Sequence, residues 1–186
     1  MDAVKYSIMS KHEGFISDFV QVGGIPKLVA ILHHPVKAIV VAALDAIPAL
    51  FEVDVALQYM KQRQKLFTQI YEQMDSHDKH IRRKALVVFI SLCASLDSDA
   101  FRIVMQAAKN CARRSDKSPL EELVVSLNRK WDLEVRHAAL LLINCVIVKS
   151  PSEKSRAKFI ACLENLGLYD ELRSMATVKN HQGILQ

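Results

Sequence analysis

One polar residue interrupts the most apolar run of the chain. Asn144 follows Ala138 to Ile143 and precedes Cys145-Val146-Ile147-Val148. An amide offers donors and acceptors that aliphatic neighbours cannot satisfy. Asn144 therefore either bonds a nearby loop of its own chain or serves the backbone of an extended or helical ligand. The other chemistry-bearing residues are less pointed. His77-x-x-His80 spans a polar turn into a basic helix and has no carboxylate or cysteine partner at a metal-site spacing. His33-His34 precedes Pro35 in a turn. Glu121 and Glu122 are adjacent, so they point to different helix faces and suit a helix N-terminus better than paired acid–base work. Cys93, Cys111, Cys145 and Cys162 form no C-x-x-C pair and lie mostly in apolar patterns, as buried free thiols do. There is no G-x-S-x-G, no Cys–His signature and no phosphate loop. These residues imply binding without catalysis, and no metal or cofactor is expected.

The elements that must position them follow from composition. Half of the 186 residues are hydrophobic, only 6% are aromatic, and there are only 5 Gly and 5 Pro. Strand-rich folds need more turns and more aromatic or β-branched residues, and disorder needs lower hydrophobicity. Helices packed on helices remain. No apolar run reaches the ~18 residues of a membrane span, and the first residues lack the apolar core of a signal peptide, so a reducing, cytoplasmic setting is expected. The net charge of +5 is uneven. Residues 79–158 carry 16 Lys/Arg against 8 Asp/Glu, and the remainder is slightly acidic. Such a basic body could attract nucleic acid, acidic lipid or an acidic protein segment. No aromatic residues interleave with the cations, which argues against single-strand stacking.

Apolar spacing and punctuation place helices near 3–22, 25–33, 36–51, 53–60, 62–75, 79–95, 98–113, 119–130, 133–149, 152–166 and 168–176. Gly23-Gly24 closes the first, and Pro26 suits the first turn of the next. Asp97 or Ser98 and Ser118 are cap candidates. The helices at 36–51, 79–95 and 133–149 are apolar nearly all round, so each must be covered on every side. Their recurrence at 40 to 55 residues is the cadence of an α-solenoid. One domain is expected over 1–176, with a loose tail over 177–186.

The stretch Asp18 to Leu32, with Gly23-Gly24-Ile25-Pro26, resembles the start of an armadillo repeat, and Val36 to Phe51 resembles its long third helix. The resemblance implies an all-α, armadillo-like right-handed superhelix of about four repeats. Pro48 stands where that repeat usually carries an asparagine, and it should kink or end the helix. Asn144 fits the asparagine position of a later repeat. From Ala85 to Leu172, the order of Leu120 to Leu127, Leu133 to Val146 and Arg156 to Leu172, with Leu166-Gly167-Leu168, resembles the formin homology 3 or diaphanous-inhibitory region of formins. Engulfment-and-cell-motility (ELMO) scaffolds carry a similar region around Asn144 to Lys154.

In such a solenoid the binding face is the concave side made by the inner helices. If Asn144 marks it, His137, Leu140, Leu141, Ile147 and Val148 share the face. On helix 79–95 the matching candidates are Arg82, Lys84, Val88 and Ser91. The formin resemblance implies a domain that binds an autoinhibitory amphipathic segment from the C-terminal part of the same protein. It also implies competition by a Rho-family GTPase, association with the cytoskeleton and a homodimeric full-length protein. An armadillo-type adaptor not tied to actin is the other expectation. Nucleic-acid binding through the basic body is the third.

Overall fold

The computed structural model describes residues 2–10 and 13–182. Its helices are α1 (Asp2–Met9), α2 (Glu13–Gln21), α3 (Gly24–Ala30), α4 (Lys37–Leu50), α5 (Asp54–Lys61), α6 (Gln64–Glu72), α7 (Lys79–Ser95), α8 (Ser98–Ala112), α9 (Glu121–Val125), α10 (Leu133–Val148), α11 (Glu153–Asn165) and α12 (Leu168–Gln182). Single 3-10 turns extend α3 and α6. There is no strand among the described residues. The helices α2–α3–α4 and α5–α6–α7 are consecutive three-helix units. α8–α9–α10 makes a third, and α11–α12 begins a fourth.

The short α1 and the long helices α4, α7 and α10 stack side by side in that order. Their buried residues form one continuous core, including Leu44, Ile47, Leu86, Phe89, Leu142 and Val146. A helix apolar on every side is stable only in such a layer, because it is covered by its own unit and by both neighbours. The repeat length can be read from hydrogen bonds between units. Asn110 donates to Thr68 (42 residues apart), Arg114 to Glu72 (42), Asn128 to Glu171 (43) and the Cys162 thiol to the Pro119 carbonyl (43). This is an armadillo-like α-solenoid.

Several boundaries differ from expectation for visible reasons. The expected first helix is two, α1 and α2. α1 lies on α4 as the first rung of the inner layer, whereas α2 packs on α5, so one straight helix could not serve both. At the following turn, Gly23 has φ of +71°, where a side chain is strained. Gly24 has no room for a Cβ, because the Phe19 ring and carbonyl occupy the space. Pro48 lies in the last turn of α4, and the helix ends two residues later, one of the two outcomes expected of it. α12 continues past the expected end at 176 to Gln182, and residues 183–186 of the expected tail lie outside the described residues.

The largest difference is at 119–130, where α9 is a single turn. The inner helices α4, α7 and α10 start at residues 37, 79 and 133, so the second step carries about a dozen extra residues. Arg82 of α7, only 2% exposed, holds this insertion in place. Its guanidinium donates to the Ser76 carbonyl (3.1 Å), Ser126 Oγ (2.9 Å), Glu122 Oε2 (3.0 Å) and the Glu122 carbonyl (3.4 Å). It also lies 4.3 Å from the centre of the Trp131 ring. Lys117 bonds the other Glu122 oxygen and Asp75. Leu120, two residues before Glu122, takes a left-handed φ of 71°. Ser118 N–H still donates to Glu121 Oε2 (2.8 Å), which is half of the expected capping box.

Two predictions follow from these contacts. Removing one partner of a buried ion pair leaves the other uncompensated. Arg82→Ala should lower the free energy of urea unfolding by about 3–5 kcal/mol. Arg83→Ala, whose partner Glu134 is exposed, should change it by less than about 1 kcal/mol. The second concerns acid. Lys37 and two backbone N–H groups of α7 hold Asp78 below the ordinary carboxylate range. Lys61 and Arg102 do the same for Asp99, as do the Val135 N–H and Lys79 for Asp132. A depressed folded pKa contributes stability above the unfolded value of about 3.9, and that stability is lost as pH falls through the folded value. The urea midpoint should therefore fall below about pH 4. Asp132→Asn, which keeps a capping oxygen but not the charge, should make that fall shallower.

Candidate partner groove

The four stacked helices present their free faces as one surface. A charged crosstie crosses its first three rungs. Asp45 of α4 pairs with Lys5 of α1 (2.9 Å) and with Lys84 of α7 (2.5 Å). Partial burial would raise the Asp45 carboxyl, but the two ammonium groups outweigh it and hold the pKa down. The charges of this stretch are thus spent within the protein.

Beyond the crosstie the surface becomes apolar. His137, Leu141, Asn144 and Val148 are all exposed and follow one another at steps of four, three and four along α10, which is a single helix stripe. Val148 is 73% exposed and Leu141 40%. Leu140 and Ile147 flank the stripe, half-buried against the core. Between α10 and α7 lies a cleft of about 300 Å³, lined by Ile90, Cys93 and Ala94 on one side and by Asn144, Cys145, Val148 and Lys149 on the other. The Asn144 amide has no hydrogen-bond partner among the described residues. It faces solvent and bonds no loop of its own chain there.

On α7 the sequence-chosen residues divide. Lys84 lies on the free face but is engaged by Asp45. Ser91 is half-buried, and its carbonyl accepts from Ser95 Oγ. Val88, 1% exposed, belongs to the core. Arg82 is buried in the knot that secures the insertion, so it is unavailable to a partner. A helix apolar all round gives no phase from hydropathy, so the sequence assigns these two to a face that the structure buries. The α7 wall of the cleft is instead Ile90, Cys93 and Ala94. Counting from the helix starts would have found Ile90: it occupies on α7 the place that Asn144 holds on α10 and Pro48 on α4. The asparagine position of the ladder thus reads Pro, Ile, Asn across the three units.

The remaining candidates play no part in this surface. His33 and His34 are exposed, and His34 Nδ1 accepts the Val36 N–H. His77 and His80 are exposed at the turn into α7. No group of metal-binding side chains occurs among the described residues. Glu121 and Glu122 bind Ser118, Arg82 and Lys117. A second cavity, about 230 Å³, lies between α6, α8 and the insertion, and its rim is internally paired through Glu72–Arg114 and Asp75–Lys117–Glu122.

A family model described as the FHOD1/3 FH3 domain matches residues 37–170. The chain belongs to this FH3 family. The FH3 domain is 24% identical over 183 residues to Formin-G of Dictyostelium discoideum, covering 98% of this chain and 17% of that protein. It is also 24% identical over 166 residues to Formin-C of the same organism, covering 88% and 14% respectively. It therefore spans about one-sixth of the length of the curated relatives it matches. Among solved structures, the designed armadillo repeat protein YIII(Dq)4CqI aligns with 94% of this chain and 86% of its own, at 12% identity and a TM-score of 0.42.

The cleft thiols of this FH3 domain are poor nucleophiles. Burial pushes Cys93 up to about 12, and it raises Cys145 as well, with nearby Lys149 opposing only in part. Cys111 is also raised to about 12 by burial and by Glu72. Because the thiolate is the reactive form, a disulfide reagent at about pH 8 should leave Cys93 and Cys111 unmodified in the folded protein. Both should react on addition of denaturant, as followed by intact-mass spectrometry.

Proposed function

We propose that this FH3 domain is a non-catalytic protein-binding module of a formin-type regulator of actin assembly. In this reading the α7–α10 cleft holds one amphipathic helical segment, contributed by the C-terminal part of the same protein. A Rho-family GTPase relieves the contact, and the protein acts in the cytoplasm with the actin cytoskeleton. The observation that carries the reading is the apolar cleft with a solvent-facing Val148 and an exposed Asn144 amide that no other described residue bonds. A helix places apolar side chains at i, i+3, i+4 and i+7, which suits a short apolar cleft with one polar contact. An extended peptide would need a row of amides to satisfy its backbone, and the ladder supplies asparagine in one unit of three. Membership in a formin domain family supports the same class of partner.

The test is a titration of a fluorescent peptide covering the C-terminal regulatory segment. Val148→Asp or Asn144→Asp should weaken binding by about 1–3 kcal/mol, the usual cost of a buried unpaired polar or charged group. Circular dichroism should stay unchanged, because both residues are exposed. Undiminished affinity for both variants would rule out the cleft as the docking place.

A further inference from the structure

The chain carries the triplet Lys-Ser-Pro twice, at 117–119 and at 149–151. The structure treats the two serines differently. Ser150 lies in the tight link between α10 and α11. Its N–H still bonds the Ile147 carbonyl (3.3 Å), its hydroxyl donates to the Ser152 carbonyl (3.2 Å), and α11 begins at Glu153. Ser118 stands in residues 113–120, the longest run outside helices among the described residues. It is exposed, and its hydroxyl makes no hydrogen bond among the described residues. Only its backbone is engaged: the N–H donates to Glu121 Oε2 (2.8 Å) and the carbonyl accepts from the Glu121 N–H (3.1 Å). Ser115 in the same run is half-buried, and its hydroxyl donates to the Cys111 carbonyl (3.2 Å). Ser126, further along the insertion, is buried against Arg82. Ser118 is therefore the accessible hydroxyl of this segment.

Pro119 biases Ser118 toward extended backbone, the form in which a kinase cleft takes its substrate. It also presents no N–H, and a serine in that setting is what proline-directed kinases accept. We propose that Ser118 is a phosphorylation site for a proline-directed serine kinase, and that the phosphate unlocks the insertion. The Ser118 oxygen attacks the γ-phosphorus of ATP, the bond to the bridging oxygen breaks, ADP leaves, and the hydroxyl proton passes to the kinase's catalytic carboxylate. The product carries about two added negative charges. They stand beside Glu121, whose carboxylate already occupies the Ser118 N–H. Like-charge repulsion drives that carboxylate off. Lys117, the neighbouring residue, is drawn from Glu122 (2.5 Å) and Asp75 (2.6 Å) toward the phosphate. Glu122 then keeps Arg82 alone, and the insertion loses part of its anchorage. This inference does not rest on the peptide cleft, which lies elsewhere in the fold.

The experiment incubates the folded domain with Mg-ATP and a mitogen-activated protein kinase, and maps the phosphate by mass spectrometry. A synthetic peptide of residues 112–124 is treated in parallel. Both should accept a single phosphate, at Ser118. Ser118→Ala should abolish incorporation into the domain, and Ser150→Ala should leave it unchanged. Circular dichroism reports that both variants are folded. Hydrogen exchange then reads the consequence. In the phosphorylated domain the amides of Ser118 and of residues 123–126 should exchange at least about tenfold faster, the loss of one hydrogen bond to a charged group. Those of α4 should not change. In Glu121→Gln the phosphate should have a smaller effect on these amides, because a neutral amide is not repelled. The proposal is overturned if neither peptide nor domain is phosphorylated, or if the peptide is and the folded domain is not. Phosphate on Ser150 at an equal or higher level would overturn it too, as would unchanged exchange after modification of Ser118.

Discussion

The buried guanidinium of Arg82 governs how the third unit fits onto the second. A solenoid stays in register only if each inner helix meets the next at the same height, and the step from α7 to α10 contains about a dozen residues more than the step before it. Those residues have to leave the stack and return. Arg82 gives them a fixed point, because its donors are directed at Ser76 within its own unit and at Glu122 and Ser126 in the insertion. The Trp131 ring covers the cation just before α10 begins. The desolvated charge is compensated on every side, as a buried ion must be to remain tolerable. The α7 wall of the cleft, Ile90 to Ala94, begins two helical turns beyond Arg82 on the same helix.

The armadillo ladder survives here in a reduced form. At the shared position Pro48 offers no donor, Ile90 offers only apolar surface, and Asn144 alone retains an amide. In place of a row of polar hooks, the inner face has a salt-bridged stretch at Lys5–Asp45–Lys84 and then an apolar one. In the proposed reading a partner would sit at the later rungs, where the cleft between Ile90, Ala94 and Val148 would set its shape and Asn144 its orientation.

Much of the fold was legible in the sequence because helices were marked by strong punctuation. Gly23-Gly24, Pro35, Asp78, Asp132, Ser152 and Gly167 all fall at helix boundaries in the structure, and the three all-apolar helices were correctly read as the inner layer. The stripe on α10 was legible because Asn144 supplied a phase. On α7 no such marker exists. Arg82 looked like a surface cation because charge in a helix usually means solvent, and its partners lie 40 and 44 residues away in a segment that resembled an ordinary helix. The brevity of α9 was hidden for the same reason. Its local pattern favours continuation, whereas in the structure Glu122 is tied to Arg82 and Lys117 and the helix ends at Val125.

The hydrogen bonds that join one unit to the next connect residues between 40 and 52 positions apart. Contacts of such limited sequence separation favour rapid, stepwise folding. During synthesis each unit can dock as soon as its successor leaves the ribosome, with one exception. Arg82 belongs to the second unit, but the groups that enclose and neutralise it belong to residues 122–131. Until residues 117–131 emerge, this nascent unit holds an unmatched cation at its edge. The burial of Arg82 is therefore completed only by the insertion, some 40 residues after the arginine itself.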